Sequence, residues 1–124
     1  MADVFGVSGM TPEELSERLL VLALRVGKMA DALPTGIAAR NAAGQVIRSS
    51  SSAAANYRAA QRGRSHKDFS NKVGVALEEA DETAFWLEYI ERYGLLSAKR
   101  LSALRKEADE LVRILATIRK NARD

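Results

Sequence analysis

Apolar residues recur at alternating steps of four and three along nearly the whole chain, and that spacing confines it to a bundle of long helices. The first run is Leu15, Leu19, Leu22, Val26, Met29 and Leu33, and the second Ala39, Ala43, Val46, Ser50, Ala53, Tyr57 and Ala60. A third comprises Phe69, Val73, Ala76, Ala80, Thr83, Leu87 and Ile90, and a fourth Leu101, Leu104, Ala108, Leu111, Leu115 and Ile118. With about 3.6 residues per turn, each run falls on one face of its own helix. A chain of 124 residues has room for one such core.

Stop and start signals divide the runs. Thr11, Pro12 and Glu14 form a capping-box start, and the first helix is expected over about 12–33. Pro34 and Gly36 break the chain, Thr35 is the expected cap of the next helix (36–62), and Gly63 ends it. Ser65 and Asp68 open a third helix (66–93) that Gly94 closes, and Ser97 opens a fourth (98–121). The serine run Ser49 to Ser52 keeps the heptad phase and contains no Gly or Pro, so it reads as helix rather than linker. Short connections make neighbours antiparallel, which predicts an all-α, up-down-up-down four-helix bundle over 11–121 behind a flexible N-terminal arm of residues 1–10. The second helix carries so many small residues that a second subunit is expected to cover it.

Composition excludes several function classes. There is no cysteine, hence no disulfide or thiolate metal site, as expected in a reducing cytoplasm. No stretch approaches the roughly 20 apolar residues needed to span a bilayer, and the first ten residues lack the basic start and apolar core of a signal peptide. His66 is the only histidine, flanked by Arg64 and Lys67, and reads as a surface residue. Bundle di-metal sites use Glu-x-x-His pairs, and none is present. No phosphate loop or nucleophile elbow appears either, so no cofactor and no enzymatic activity are expected. A carboxylate reaction at Glu78 and Glu82 is the remote exception.

The second helix carries a polar stripe off its seam: Asn41, Gln45, Arg48, Ser52 and Asn56. Antiparallel register would place Arg48 opposite Glu79 and Gln45 opposite Glu82, giving a structural polar network of Gln45, Arg48, Ser52, Asn56, Glu79 and Glu82. The ordered set Gln45, Arg48, Ser52, Asn56, Phe69, Ala76 and Glu82, with Tyr93-Gly94-Leu95 at a turn, resembles the four helix bundle proteins first noted in intervening sequences of large-subunit ribosomal RNA genes. Ala59 and Ala60 stand where many members have an acidic residue and a glycine, and Glu79 where a serine is usual. That family is similar in fold to the accessory variability determinants of diversity-generating retroelements. The resemblance implies a ring-like homopentamer, binding of RNA or DNA, and association with a reverse transcriptase.

Charge placement gives an independent reading. Six basic residues and no acid lie between Ala32 and Lys67, and six acids and no base from Glu78 to Glu91. In the expected topology the second turn and the end of the last helix share one end of the rod. Arg58, Arg62, Arg64, Lys67, Arg119 and Lys120 would make that end basic, joined by Lys72, Arg113 and Arg123, with Glu13, Glu14, Glu17 and Asp68 as diluents. Such an end suits a phosphate backbone, read by charge rather than by sequence. The function expected is therefore a non-enzymatic, homo-oligomeric adaptor for nucleic acid, a reverse transcriptase or both. The alternative is a protein-interaction scaffold without nucleic-acid affinity.

Overall fold

The computed structural model describes residues 9–123. Four helices make up the fold: α1 (Pro12–Asp31), α2 (Ile37–Gln61), α3 (His66–Tyr93) and α4 (Ala98–Arg123). α1 packs on α2 and α4, and α3 packs on α2 and α4, while the backbones of the diagonal pairs stay apart. This is the up-down-up-down square expected of an all-α bundle with short loops.

Local chemistry sets the ends. Thr11 Oγ1 accepts from Glu14 N at 3.1 Å, and Glu14 Oε1 accepts from Thr11 N at 3.1 Å. Ser65 Oγ accepts from Asp68 N at 3.0 Å, and Gly94 closes α3 at φ 88°, a left-handed conformation that glycine adopts without strain. Several boundaries differ from expectation by a residue or two: α2 is one residue shorter at each end, and α4 runs on to Arg123. α1 ends at Asp31, two residues early, because the residues ahead of Pro34 are biased away from helix. α2 is preceded by Gly36 at φ 137° with no side-chain cap, so Thr35 does not cap it: the tight turn needs a backbone conformation that a threonine would strain to adopt. Most of the expected N-terminal arm lies outside the described residues, and Met10, assigned to it, packs against the core.

The core follows the seams. Leu15, Leu19, Leu22, Val26, Leu87, Ile90, Leu101, Leu111, Leu115 and Ile118 are all at most 1% exposed. Burying each such side chain contributes about 1.5–3 kcal/mol before chain entropy is set against it. Met29, Leu33 and Phe69, at the ends of their runs, are only partly buried.

α2 runs without a break through Ser49–Ser52. Its contact with α3, where Ser49 meets Thr83, is the most extensive between helices in the bundle. Burial of the hydroxyls costs little because each is bonded: Ser49 Oγ lies 2.8 Å from Thr83 Oγ1, Thr83 donates to the Glu79 carbonyl at 2.9 Å, and Ser50 donates to the Ile47 carbonyl at 3.2 Å. The α1–α4 contact is the sparsest. Arg18 straps it, donating to both Glu107 carboxylate oxygens at 2.9 and 2.7 Å.

Candidate functional site

The polar stripe of α2 meets α3 along one groove. Arg48 donates to Glu79 at 3.1 and 3.2 Å and to Glu82 at 2.6 Å, and Ser52 donates to Glu79 at 3.2 Å. Asn56 turns back to Ser52, reaching its carbonyl at 2.9 Å and its hydroxyl at 3.1 Å. Gln45 makes no such bond among the described residues. The expected Gln45–Glu82 contact does not form: Glu82 is taken by Arg48 instead. Arg48 itself is raised from the usual arginine range by the two carboxylates. Glu82 is held below its ordinary value by Arg48 first of all, with a smaller contribution from the neighbouring Trp86 indole. With about half of the Arg48 side chain exposed, this cluster sits on the surface, where water screens it and its acids are already taken.

The basic residues are placed differently. His66 Nε2 lies in hydrogen-bond contact with the Ala122 carbonyl, which fixes the α2–α3 turn beside the end of α4. Arg58, Arg62, Arg64, Lys67, Arg119 and Lys120 therefore share one end of the bundle. They do not share one face. Arg58 and Arg62 line a cleft of about 310 Å³ on the α1 side, with Glu13, Ser16, Glu17 and Gln61. Arg119 lies on the far flank, its guanidinium pressed against Gly74 of α3, where an added Cβ would overlap Nη1 at 1.6 Å. Its Nε is buried and unbonded among the described residues, so Arg119 is partly a packing residue. Lys120 stays exposed.

None of these six cations forms an ion pair within the described residues, whereas Arg18, Arg48, Lys72, Arg92 and Arg105 each hold a carboxylate. Asp68 has been drawn off by Lys72 at 2.7 Å and takes only the backbone N–H of Arg64, at 3.2 Å. Lys72 and that N–H together keep the Asp68 carboxyl below its ordinary range.

Comparison with known proteins gives the fold a family. The model of the 23S rRNA-intervening sequence proteins matches residues 14–117, which takes in most of all four helices. The chain belongs to this family. Among solved structures it is similar to a protein of unknown function from the S23 ribosomal protein family of Bacteroides thetaiotaomicron VPI-5482. That likeness has 28% identity and a TM-score of 0.78, and it covers 90% of this chain and 99% of the other. No curated protein matches. Neither name carries a reaction, and among the described residues no group of three His, Cys, Asp or Glu side chains is placed to hold a metal. Nor is any helix there long and apolar enough to cross a membrane.

The chain also displays a feature that the heptad spacing passes over. Phe85, Trp86, Tyr89 and Tyr93 touch in series along α3, with ring centroids 5.0 Å apart for Phe85–Trp86 and for Trp86–Tyr89, and 5.7 Å for the stacked pair Tyr89–Tyr93. Phe85 and Tyr93 are 55% and 61% exposed. The signal was available in the sequence: steps of three and four, displaced from the Leu87–Ile90 seam.

Proposed function

We propose that this chain is a non-enzymatic adaptor that holds RNA or DNA by its phosphates at the basic end of the bundle. One observation carries the reading. Arg58, Arg62, Arg64, Lys67 and Lys120 gather at one end of the bundle and form no ion pair among the described residues, whereas Arg18, Arg48, Arg92 and Arg105 are each held by a carboxylate. Uncompensated cations on a rigid end release counterions when they meet a polyanion, and such binding is indifferent to base sequence. Arg119, folded onto Gly74, contributes less than the others.

Side-by-side assembly of several copies, five on the family resemblance, multiplies this field around a common axis. A reverse transcriptase is the protein partner that the same resemblance supplies, and an adaptor of this kind would act by bringing polymerase and template together. Cytoplasmic location fits that role.

Reversing charge with Arg62→Glu and Arg64→Glu tests the reading. Affinity for a single-stranded RNA or DNA of mixed sequence is expected to fall at least ~10-fold at low salt, with the salt slope smaller by about 2. An unchanged affinity would remove the site. The alternative, a scaffold that binds only protein, draws on the exposed aromatic series of α3, and full assembly with no polynucleotide affinity would favour it.

A further inference from the structure

The end of the bundle opposite Arg62 is basic as well, and there the cations work against the fold. Arg25 stands seven residues after Arg18 on α1, and Arg100 seven before Glu107 on α4. On antiparallel helices that spacing keeps both on the faces that meet at the Arg18–Glu107 ion pair, about 10 Å further along the rod. One groove therefore holds opposite charges at one level and two arginines two turns away. Lys28 and Lys99 stand beside them on the same two helices. All four of these residues are exposed, and none forms an ion pair among the described residues.

Arg40 extends the group past α1 onto α2. It is exposed, borders a cleft of about 220 Å³ with Leu33 and Ala43, and holds no carboxylate among the described residues. Glu88 and Glu91 of α3 already hold Arg92 and Arg105, which leaves Asp31 against five cations at this end. The helices gain nothing from the arrangement. Arg40 lies in the first turn of α2, and Lys99 and Arg100 in that of α4, where the macrodipole is positive and neither helix has an acid. α1 and α3, which start at the other end, carry Glu13, Glu14 and Asp68 in their first turns. Like charges facing across the sparsest helix contact add to the cost.

We infer that this end is a second phosphate site, which takes a separate segment of polynucleotide backbone from the one held at Arg58, Arg62 and Arg64. An anion bridging Arg25 and Arg100 removes the repulsion between them. Guanidinium groups from two helices offer paired donors to phosphate oxygens. The group runs from α4 over α1 to α2, two interaxial steps or roughly 18 Å, which is too long for one phosphate and spans several along a strand.

Distance and intervening charge make the segment a separate one. From Arg40 to Arg62 along α2 is about 33 Å, several Debye lengths at physiological salt. Between the two ends the α1–α4 face carries Glu107 and Glu110 on Arg18, with Asp109 exposed next to them. A single strand lying along the rod would have to cross that acidic belt. The rod therefore bridges two segments, one at each end. The class of ligand rests on the adaptor reading, to which this adds a second site and a bridging action.

The test uses the full chain and two double variants, Arg25→Gln with Arg100→Gln at this end and Arg62→Glu with Arg64→Glu at the other. Removing two facing like charges should leave the helical circular dichroism unchanged and the thermal midpoint no lower than in the wild type, so lost binding is not lost fold. With labelled single-stranded DNA of mixed sequence, the Arg62, Arg64 variant should keep a weaker, salt-dependent affinity. Adding Arg25→Gln and Arg100→Gln to it should lower that affinity a further ~10-fold, with the salt slope smaller by about 2. Wild type bound to one immobilised strand should capture a second, non-complementary strand. The Arg25, Arg100 variant should hold the first strand and capture at least ~10-fold less of the second. An Arg62, Arg64 variant that binds nothing, or an Arg25, Arg100 variant that captures a second strand like the wild type, would overturn the inference and leave the adaptor reading standing. Affinity indifferent to Arg62 and Arg64 but lost with Arg25 and Arg100 would keep this site and remove the first. A wild type that binds no DNA at low salt would overturn both.

Discussion

Arg48 and Arg62 lie on the same helix and are in opposite states. Arg48 reaches across the α2–α3 groove and takes two carboxylates, Glu79 and Glu82. Arg62 stands at the C-terminal cap of α2, in a wide cleft, with no ion pair. The difference shows that charge composition alone is a poor guide to a binding surface. Of the six acids from Glu78 to Glu91, Glu79, Glu82, Glu88 and Glu91 are all held within the chain, by Arg48, Arg92 and Arg105. The cations past residue 57 of α2, by contrast, meet no such partners.

Charge reversal at the unpaired end should have the largest effect and the most selective one. Arg62→Glu with Arg64→Glu is expected to abolish most polynucleotide affinity while leaving the thermal midpoint nearly unchanged, because neither side chain holds another part of the fold. A large loss of stability in that variant would erase the contrast between the two regions.

The opposite pattern is expected at Arg18. Its removal leaves Glu107 partly buried without its bidentate partner across the thinnest helix contact, and Arg18→Ala should cost about 1 kcal/mol in chemical denaturation. Polynucleotide affinity should not move.

Arg48→Ala should give a smaller, pH-dependent loss. Glu82 has a folded-state pKa below its ordinary value of 4.5, so its pairing stabilises the fold fully above that value and is lost as pH falls through the lowered one. Thermal melts of wild type and variant should differ at pH 7 and converge under acid conditions. A difference that persisted at low pH would mean that packing, not charge, accounts for the effect.

Tyr57→Phe sharpens the comparison from inside. Tyr57 is 0% exposed, and its hydroxyl has no partner among the described residues. Burial foremost, and the charge of Glu13, push its ionisation well above the usual tyrosine range. Removing the hydroxyl should leave stability unchanged or raise it by up to about 1 kcal/mol. A loss in urea melts would show that the hydroxyl is bonded after all.

The bundle was legible because period, caps and breakers agree along this chain. Leu15 to Val26 and Leu101 to Ile118 are on the same face in sequence and in structure, and Thr11, Ser65 and Gly94 end helices where their chemistry demands. The cap at Thr35 was misread because a tight turn's backbone angle, which Gly36 supplies, outweighs side-chain capping and leaves no periodic trace. Arg48 was legible as a partner of Glu79, since antiparallel register follows from short loops. Its second carboxylate was not, because a flexible arginine chooses between acceptors one helical turn apart. Arg119 shows the limit most clearly: sequence gives its charge and its end of the rod, while its contact with Gly74 depends on how α3 and α4 cross. The aromatic series went unread because its spacing is helical but its phase departs from the core.

The most direct test of the account is the binding of nuclease-treated protein to labelled RNA and DNA over a salt series, at a defined state of assembly. The account predicts affinity for both polymers that falls steeply and linearly in log–log form as salt rises, with little preference among sequences. No binding at the lowest salt would contradict it and leave a bundle whose surfaces serve protein contacts alone.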